Sequence, residues 1–276
     1  MLKSPENTPI MNNKFQGYLI LSDIDGTLTD NRGRISDENA AAIRYFQENG
    51  GLMTVASGRY PWYIEKYADT FRPNTYVVGI NGTMLYDAPT KTPVITKVFE
   101  DDFLSVLHEF LDLCPQVTYI LVSGHKEEFN IRREDFPRLD EILADLEKPW
   151  CRIILCQHPD DGEKTREALV PRYGDRYNFD FSWCEGLEVH PKGSGKGDLL
   201  REMLPILAEN GHPIHTTVCA GDYENDLSMM EAVDIGYAVA NAIPSVKAAA
   251  KRITVSNNDS ALAKIIADIE AEIDAK

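Results

Sequence analysis

The sequence has no run of about 18 apolar residues, which excludes a membrane-spanning helix. Its five cysteines, Cys114, Cys151, Cys156, Cys184 and Cys219, are odd in number and form no CxxC pair. That spacing disfavours both a disulfide framework and a zinc site, and reduced, buried thiols are expected instead. Basic charge is scarce: 28 Lys and Arg stand against 44 Asp and Glu, for a formal net charge of −16. Such a surface repels nucleic acid and anionic membranes, so neither is expected as a partner. It also repels a phosphate ester at long range. Any phosphate site must therefore be made locally positive by a metal, a lysine or helix N-termini. The first residues, MLKSPENTPIMNNKFQG, lack the apolar centre of a signal peptide. Residues 1–16 read as a flexible extension with Met11 as an alternative start, and a cytoplasmic protein is expected.

What is present is ordinary for a globular chain. The 276 residues are 43% hydrophobic and 26% charged, enough for one large core or a core with a smaller second domain. Tyr18–Ser22 is a short apolar run of the kind buried on both faces of a parallel sheet. Ser36, the acids Asp37 and Glu38, an apolar stripe at Ala40, Ile43 and Phe46, and Gly50–Gly51 predict a helix with its cap and its stop. Leu52–Ala56 predicts a strand, Trp62–Thr70 a helix and Thr75–Ile80 a third strand. This alternation predicts a doubly wound, Rossmann-like α/β sheet. From Tyr86 to Leu187 the pattern becomes mixed, with hairpin signals and short helices. After that the alternation resumes: a helix over Lys196–Asn210 that Pro205 kinks or splits, strands at Thr216–Ala220 and Ile235–Ala238, and a terminal helix from Ala261. The expected organisation is a core domain of 17–85 and 188–276 with an α+β domain, 86–187, inserted in it.

Four segments carry residues competent for phosphate or metal chemistry at a predicted strand end or helix start, the edge where open α/β sheets bind ligands. Asp23-Ile24-Asp25-Gly26-Thr27-Leu28 offers two carboxylates one residue apart. One could serve as a nucleophile and the other as an acid/base. An Asx turn closing the strand explains the segment equally well when it is taken alone. Ser57-Gly58-Arg59 places a hydroxyl and N–H groups at a helix start, suited to a phosphate oxygen or simply to a helix cap. Lys192-Gly193-Ser194-Gly195-Lys196-Gly197 is a glycine-rich loop with a lysine that can reach a phosphoryl group, although the Walker spacing is absent. Gly221-Asp222-Tyr223-Glu224-Asn225-Asp226 brings Asp222, Asn225 and Asp226 to a strand–helix junction, with Glu224 expected to face solvent. Together, Asp23, Asp25, Asp222 and Asp226 fall at one sheet edge. Clustered acids repel each other, and a hard divalent cation relieves the repulsion, so Mg²⁺ is the expected cofactor.

These four segments resemble the four motifs of the haloacid dehalogenase (HAD) superfamily: DIDGTL, SGR, the Lys of GKG, and GDYEND. The size of the insertion, NGT at 81–83 and PKGSGKGDLL at 191–200 resemble the Cof-type phosphatases, which carry a large α/β cap. The resemblance implies that Asp23 is the nucleophile and a Mg²⁺ ligand. It implies that Asp25 is the acid/base, binding Mg²⁺ through its carbonyl, and that Asp222 completes the protein ligands. Ser57 and Lys196 would hold the phosphoryl group, with Gly58 and Asn225 beside it, while Asn225 and Asp226 orient the lysine and metal-bound waters. The implied activity is Mg²⁺-dependent hydrolysis of phosphate monoesters of small metabolites, sugar phosphates first, through an aspartyl-phosphate. A sugar phosphomutase, a trehalose- or mannosylglycerate-type phosphatase and a non-catalytic phosphate sensor are the alternatives. The expected assembly is a monomer or small homo-oligomer. Arg59 has no assigned role. His190 is expected to make one polar contact, and Trp62, Trp150 and Trp183 are expected to be packing residues.

Overall fold

The computed structural model describes residues 13–124, 126–146 and 148–275. The expected extension as far as residue 12, Met11 included, lies outside these residues. Residues 13–16 are anchored. Phe15 is fully buried against Phe46 and Tyr45, and Lys14 pairs with Glu270 and Asp274.

The first core is built on a parallel sheet. Its strands are β1 (Tyr18–Ser22), β2 (Leu52–Val55), then, much later in the chain, β11 (Thr216–Gly221), β12 (Ile235–Ala238) and β13 (Arg252–Ile253). Their order is β13-β12-β11-β1-β2, every pair parallel. The apolar runs Tyr18–Ser22, Leu52–Ala56, Thr216–Ala220 and Ile235–Ala238 are four of these strands, whereas Thr75–Ile80, read as part of the same alternation, pairs antiparallel in a separate sheet; β1, β2 and β11 are buried almost throughout. β1 lies between β2 and β11, so the order reverses there and opens a crevice beyond the strand ends. Helix α1 (Asp37–Glu48) starts as predicted: the Ser36 hydroxyl accepts the Asn39 N–H at 3.1 Å. It packs on α8 (Ala261–Asp274), whose stripe Leu262, Ile265, Ile266 and Ile269 is buried. α5 (Lys196–Glu209) packs on α6 (Leu227–Ala232), and α7 (Pro244–Ala249) follows. Pro205 does not split α5, which runs through in one piece. Buried Leu199, Met203 and Leu207 hold it, each worth about 1.5–3 kcal/mol against the proline's lost hydrogen bond.

The second core is antiparallel. β6 (Tyr119–Ser123), β7 (Glu128–Arg132), β8 (Arg152–Cys156), β9 (Tyr177–Trp183) and β10 (Gly186–Pro191) form a sheet of order β7-β6-β8-β10-β9. α2 (Phe103–Leu113), α3 (Leu139–Ala144) and α4 (Gly162–Tyr173) belong to the same stretch of chain. Phe103, Phe110, Tyr177 and Phe179 lie at its centre. Between the two cores, β3 (Val77–Gly79), β4 (Met84–Asp87) and β5 (Thr92–Thr96) form a small antiparallel sheet. β3 meets the parallel sheet through one bridge, Ala56 to Val78. The predicted boundary at residue 86 thus cuts through β4. The hairpin pairs with β3, and the second core begins at Phe99. Among the described residues no helix is long and apolar enough to cross a membrane.

Candidate active site

Asp23 follows β1, Ser57 follows β2, Asp222 follows β11, and Lys196 opens α5. All four arrive at the crevice where the strand order reverses. The Lys196 ammonium is fully buried and donates to Asp23 Oδ1 at 2.7 Å and to Asp226 Oδ1 at 2.6 Å. Asp226 is fixed in turn, since its Oδ2 accepts the N–H groups of Asp222 (2.8 Å) and Tyr223 (3.2 Å). Asp222 accepts the Thr27 hydroxyl at 2.9 Å. Gly26 has φ +81°, and a Cβ there would stand 2.6 Å from Asp222 Oδ2. Glycine at this turn is what lets the two segments close on each other. One carboxylate oxygen each from Asp23, Asp222 and Asp226 lies within 4.8 Å of the others.

The charges in this cluster do not balance. Three carboxylates share one ammonium. Burial pulls the Lys196 proton affinity down, but Asp226 and Asp23 outweigh it and hold the group above its ordinary value, so it stays charged. Burial pushes the Asp23 carboxyl well above the usual range. Lys196 opposes the shift, and Asp226 and Asp222 add to it. Burial and then Asp226 raise Asp222 from 3.8 to about 7. The surplus negative charge in a closed oxygen-only set suits a hard divalent cation.

Asp25, expected in this cluster, lines the cavity above it but stands apart from these three carboxylates. Its carboxylate is half exposed and gripped by Arg59, Nε to Oδ2 at 2.6 Å and Nη2 to Oδ1 at 3.0 Å. Four acids therefore do not converge in one cluster; three do, with Asp25 held by Arg59 in the same cavity. Arg59, unassigned from sequence, also lies over the Tyr63 ring, 4.2 Å from its centroid. Ser57 is buried, its N–H donates to Val78 O, and its Oγ accepts the Arg59 N–H at 3.2 Å. The predicted helix at 62–70 is a short, tight 3₁₀ stretch, Pro61–Tyr67, so the hydroxyl rather than a regular helix terminus is what Ser57 offers. Asn225 donates to Asn81 Oδ1 at 3.0 Å.

Above the cluster opens a cavity of about 660 Å³, lined on one side by Asp23, Asp25, Ser57, Gly58, Asp222 and Asn225 and on the other by residues of the second core. The family model of the haloacid dehalogenase-like hydrolases matches this chain over residues 20–266. The chain belongs to this family. It is a phosphatase of that family, and its relatives bear this out. It is 26% identical to the 5-amino-6-(5-phospho-D-ribitylamino)uracil phosphatase of Bacillus subtilis, over 90% of this chain and 94% of that one. It is 23% identical to the pyridoxal phosphate phosphatase of Escherichia coli, over 90% of this chain and 97% of that one. A haloacid dehalogenase-like hydrolase from Bacteroides thetaiotaomicron, solved by crystallography, superposes with a TM-score of 0.73 at 26% identity, covering 92% of this chain and 99% of that one.

Several residues that line or brace this candidate site were not picked out from the sequence. Arg152, on β8, donates to Gly58 O (2.7 Å), Glu188 (3.1 Å), Glu128 (2.8 Å) and Ser123 Oγ (3.2 Å). Glu188 also accepts the Asn81 amide at 2.6 Å. Asn81 has φ +52°, a conformation asparagine tolerates better than most residues, and the NGT segment was the available signal. Glu224 does not face solvent. Burial raises its carboxyl, and it pairs with Arg166 of α4 while accepting the Phe181 N–H at 3.3 Å. His190 is buried with two polar contacts, Ser194 Oγ and Asp180 Oδ2, each 2.9 Å away, and lies outside the site. Trp62 and Trp183 line the cavity, whereas Trp150 is buried in the second core, as a packing residue should be.

Proposed function

We propose that this phosphatase hydrolyses phosphate monoesters of small metabolites through an aspartyl-phosphate on Asp23. The observation that carries the reading is the buried Lys196 held between Asp23 and Asp226, beside Asp222, at the crevice of the sheet. An Asp23 oxygen attacks phosphorus, the ester P–O bond breaks, and Asp25 gives the leaving alcohol its proton. Water then attacks the phosphorus of the acyl phosphate and gives its proton to Asp25. This releases inorganic phosphate and restores Asp23. Lys196 keeps Asp23 oriented and offsets phosphoryl charge, and the Ser57 hydroxyl holds a phosphoryl oxygen. Asp23, the Asp25 carbonyl and Asp222 would hold Mg²⁺, which when bound offsets the negative charge of the phosphate and the acids. The second core serves as the cap that closes the cavity and selects the alcohol. Two relatives named for phosphorylated small molecules support the substrate class.

The test is phosphate release from p-nitrophenyl phosphate. Chelation followed by dialysis should abolish it and Mg²⁺ should restore it. Asp23→Asn should lower kcat by more than about 10³-fold with the fold retained by circular dichroism. Full activity after chelation, or near-normal turnover by the variant, contradicts the reading.

A further inference from the structure

The cavity beyond the phosphate end has an unusual division of labour. Several of its polar side chains are occupied with one another. Arg152 is bound by Glu188, Glu128 and the Gly58 carbonyl, and Glu188 by Asn81, whose amide also donates to Ser182. The Tyr60 hydroxyl is spent on the Gly124 and Glu127 carbonyls. Flat rings make up much of the rest of the wall, beside Leu121 and Ile154. Trp62 stacks on Tyr60, with centroids 4.7 Å apart and planes 22° apart, and so presents one rigid wall from the first core. Trp183, at the end of β9, presents another from the second core. Gly186 lies across the β9–β10 turn, and a Cβ there would overlap the Trp183 indole, so the ring is seated on a glycine.

A sugar phosphate entering this space would bury several hydroxyl groups. Each needs a partner, and each one left unpaired costs about 1–3 kcal/mol. The side chains of that network already have partners, so they are less free to serve these hydroxyls. A flat ring needs few partners and gains from stacking on an indole face. Resting on the phosphatase reading above, we infer that the preferred substrate is a phosphate monoester whose alcohol carries a flat aromatic or heteroaromatic ring, held against Trp62 and Trp183.

The test compares kcat/KM for pyridoxine 5′-phosphate, glucose 6-phosphate and glycerol 3-phosphate with Mg²⁺. Pyridoxine phosphate has a flat ring and no aldehyde to react with lysines. It should exceed both others by about tenfold or more, the worth of one good aromatic contact. Trp183→Ala should shrink its advantage over glycerol 3-phosphate by about fivefold, chiefly through KM, and Trp183→Phe should restore most of it. Equal or better hydrolysis of glucose 6-phosphate overturns this inference and leaves the phosphatase reading standing, as does an advantage that Trp183→Ala leaves intact. Phosphate release from none of the three, nor from p-nitrophenyl phosphate, sinks the phosphatase reading and this inference with it.

Discussion

Asp222 shows how much of the site is decided by charge. Its carboxyl titrates near 7 in the folded protein against 3.8 ordinarily, through burial and the neighbouring Asp226. The folded protein therefore binds more protons than the unfolded chain between those two values. Without a cation its stability should fall as pH rises from about 4 to about 7. Asp23, also raised, acts with the same sign. A divalent cation that takes up the charge should cancel the loss. Mg²⁺ is thus expected to raise Tm more at about pH 8 than at about pH 5.5 in a calorimetric comparison, and an equal rise at both would contradict the assignment. Residue identity made Asp23, Lys196, Asp222 and Asp226 legible, because their types and spacing have few other uses together. It could not show that Asp25 turns to Arg59. The DxD spacing places both carboxylates on one strand face only if the strand continues, and here the chain turns at Gly26.

At the scale of elements, the parallel strands and the long helices were legible because each has its own cap, stripe or apolar run. The 61–67 segment was not, since Pro61 and three aromatics leave its period ambiguous and it settles as a short 3₁₀ stretch. Contacts between elements far apart in sequence were hidden as well. Glu224 lies in an acidic turn that sequence alone explains by the helix dipole, yet it reaches Arg166 on α4. This pair ties the loop holding Asp222 to the second core. A double-mutant cycle of Glu224→Ala and Arg166→Ala, followed by urea unfolding, should give a coupling of about 1 kcal/mol for so partly buried a pair. Additive effects would show that the two cores are not tied there.

At the scale of the whole molecule, the two cores divide the task. The parallel sheet gathers Asp23, Lys196 and Asp222 from segments up to 199 residues apart, and topology alone does this once the alternation is recognised. The antiparallel sheet supplies Arg152, Glu188 and Trp183, whose places depend on strand register in a mixed region that period-2 and period-3.6 patterns describe poorly. The residues proposed for the reaction were therefore readable from sequence, and the cavity wall proposed to select the substrate was not. The claim on which all of this rests is that Asp23 carries the phosphoryl group. Rapid mixing of the Mg²⁺-loaded protein with excess p-nitrophenyl phosphate, an acid quench within one turnover and peptide mass mapping address it directly. One added phosphoryl group is expected on the peptide containing Asp23, absent in Asp23→Asn. Fast turnover with that peptide unmodified, or with the phosphoryl group on another residue, would contradict it.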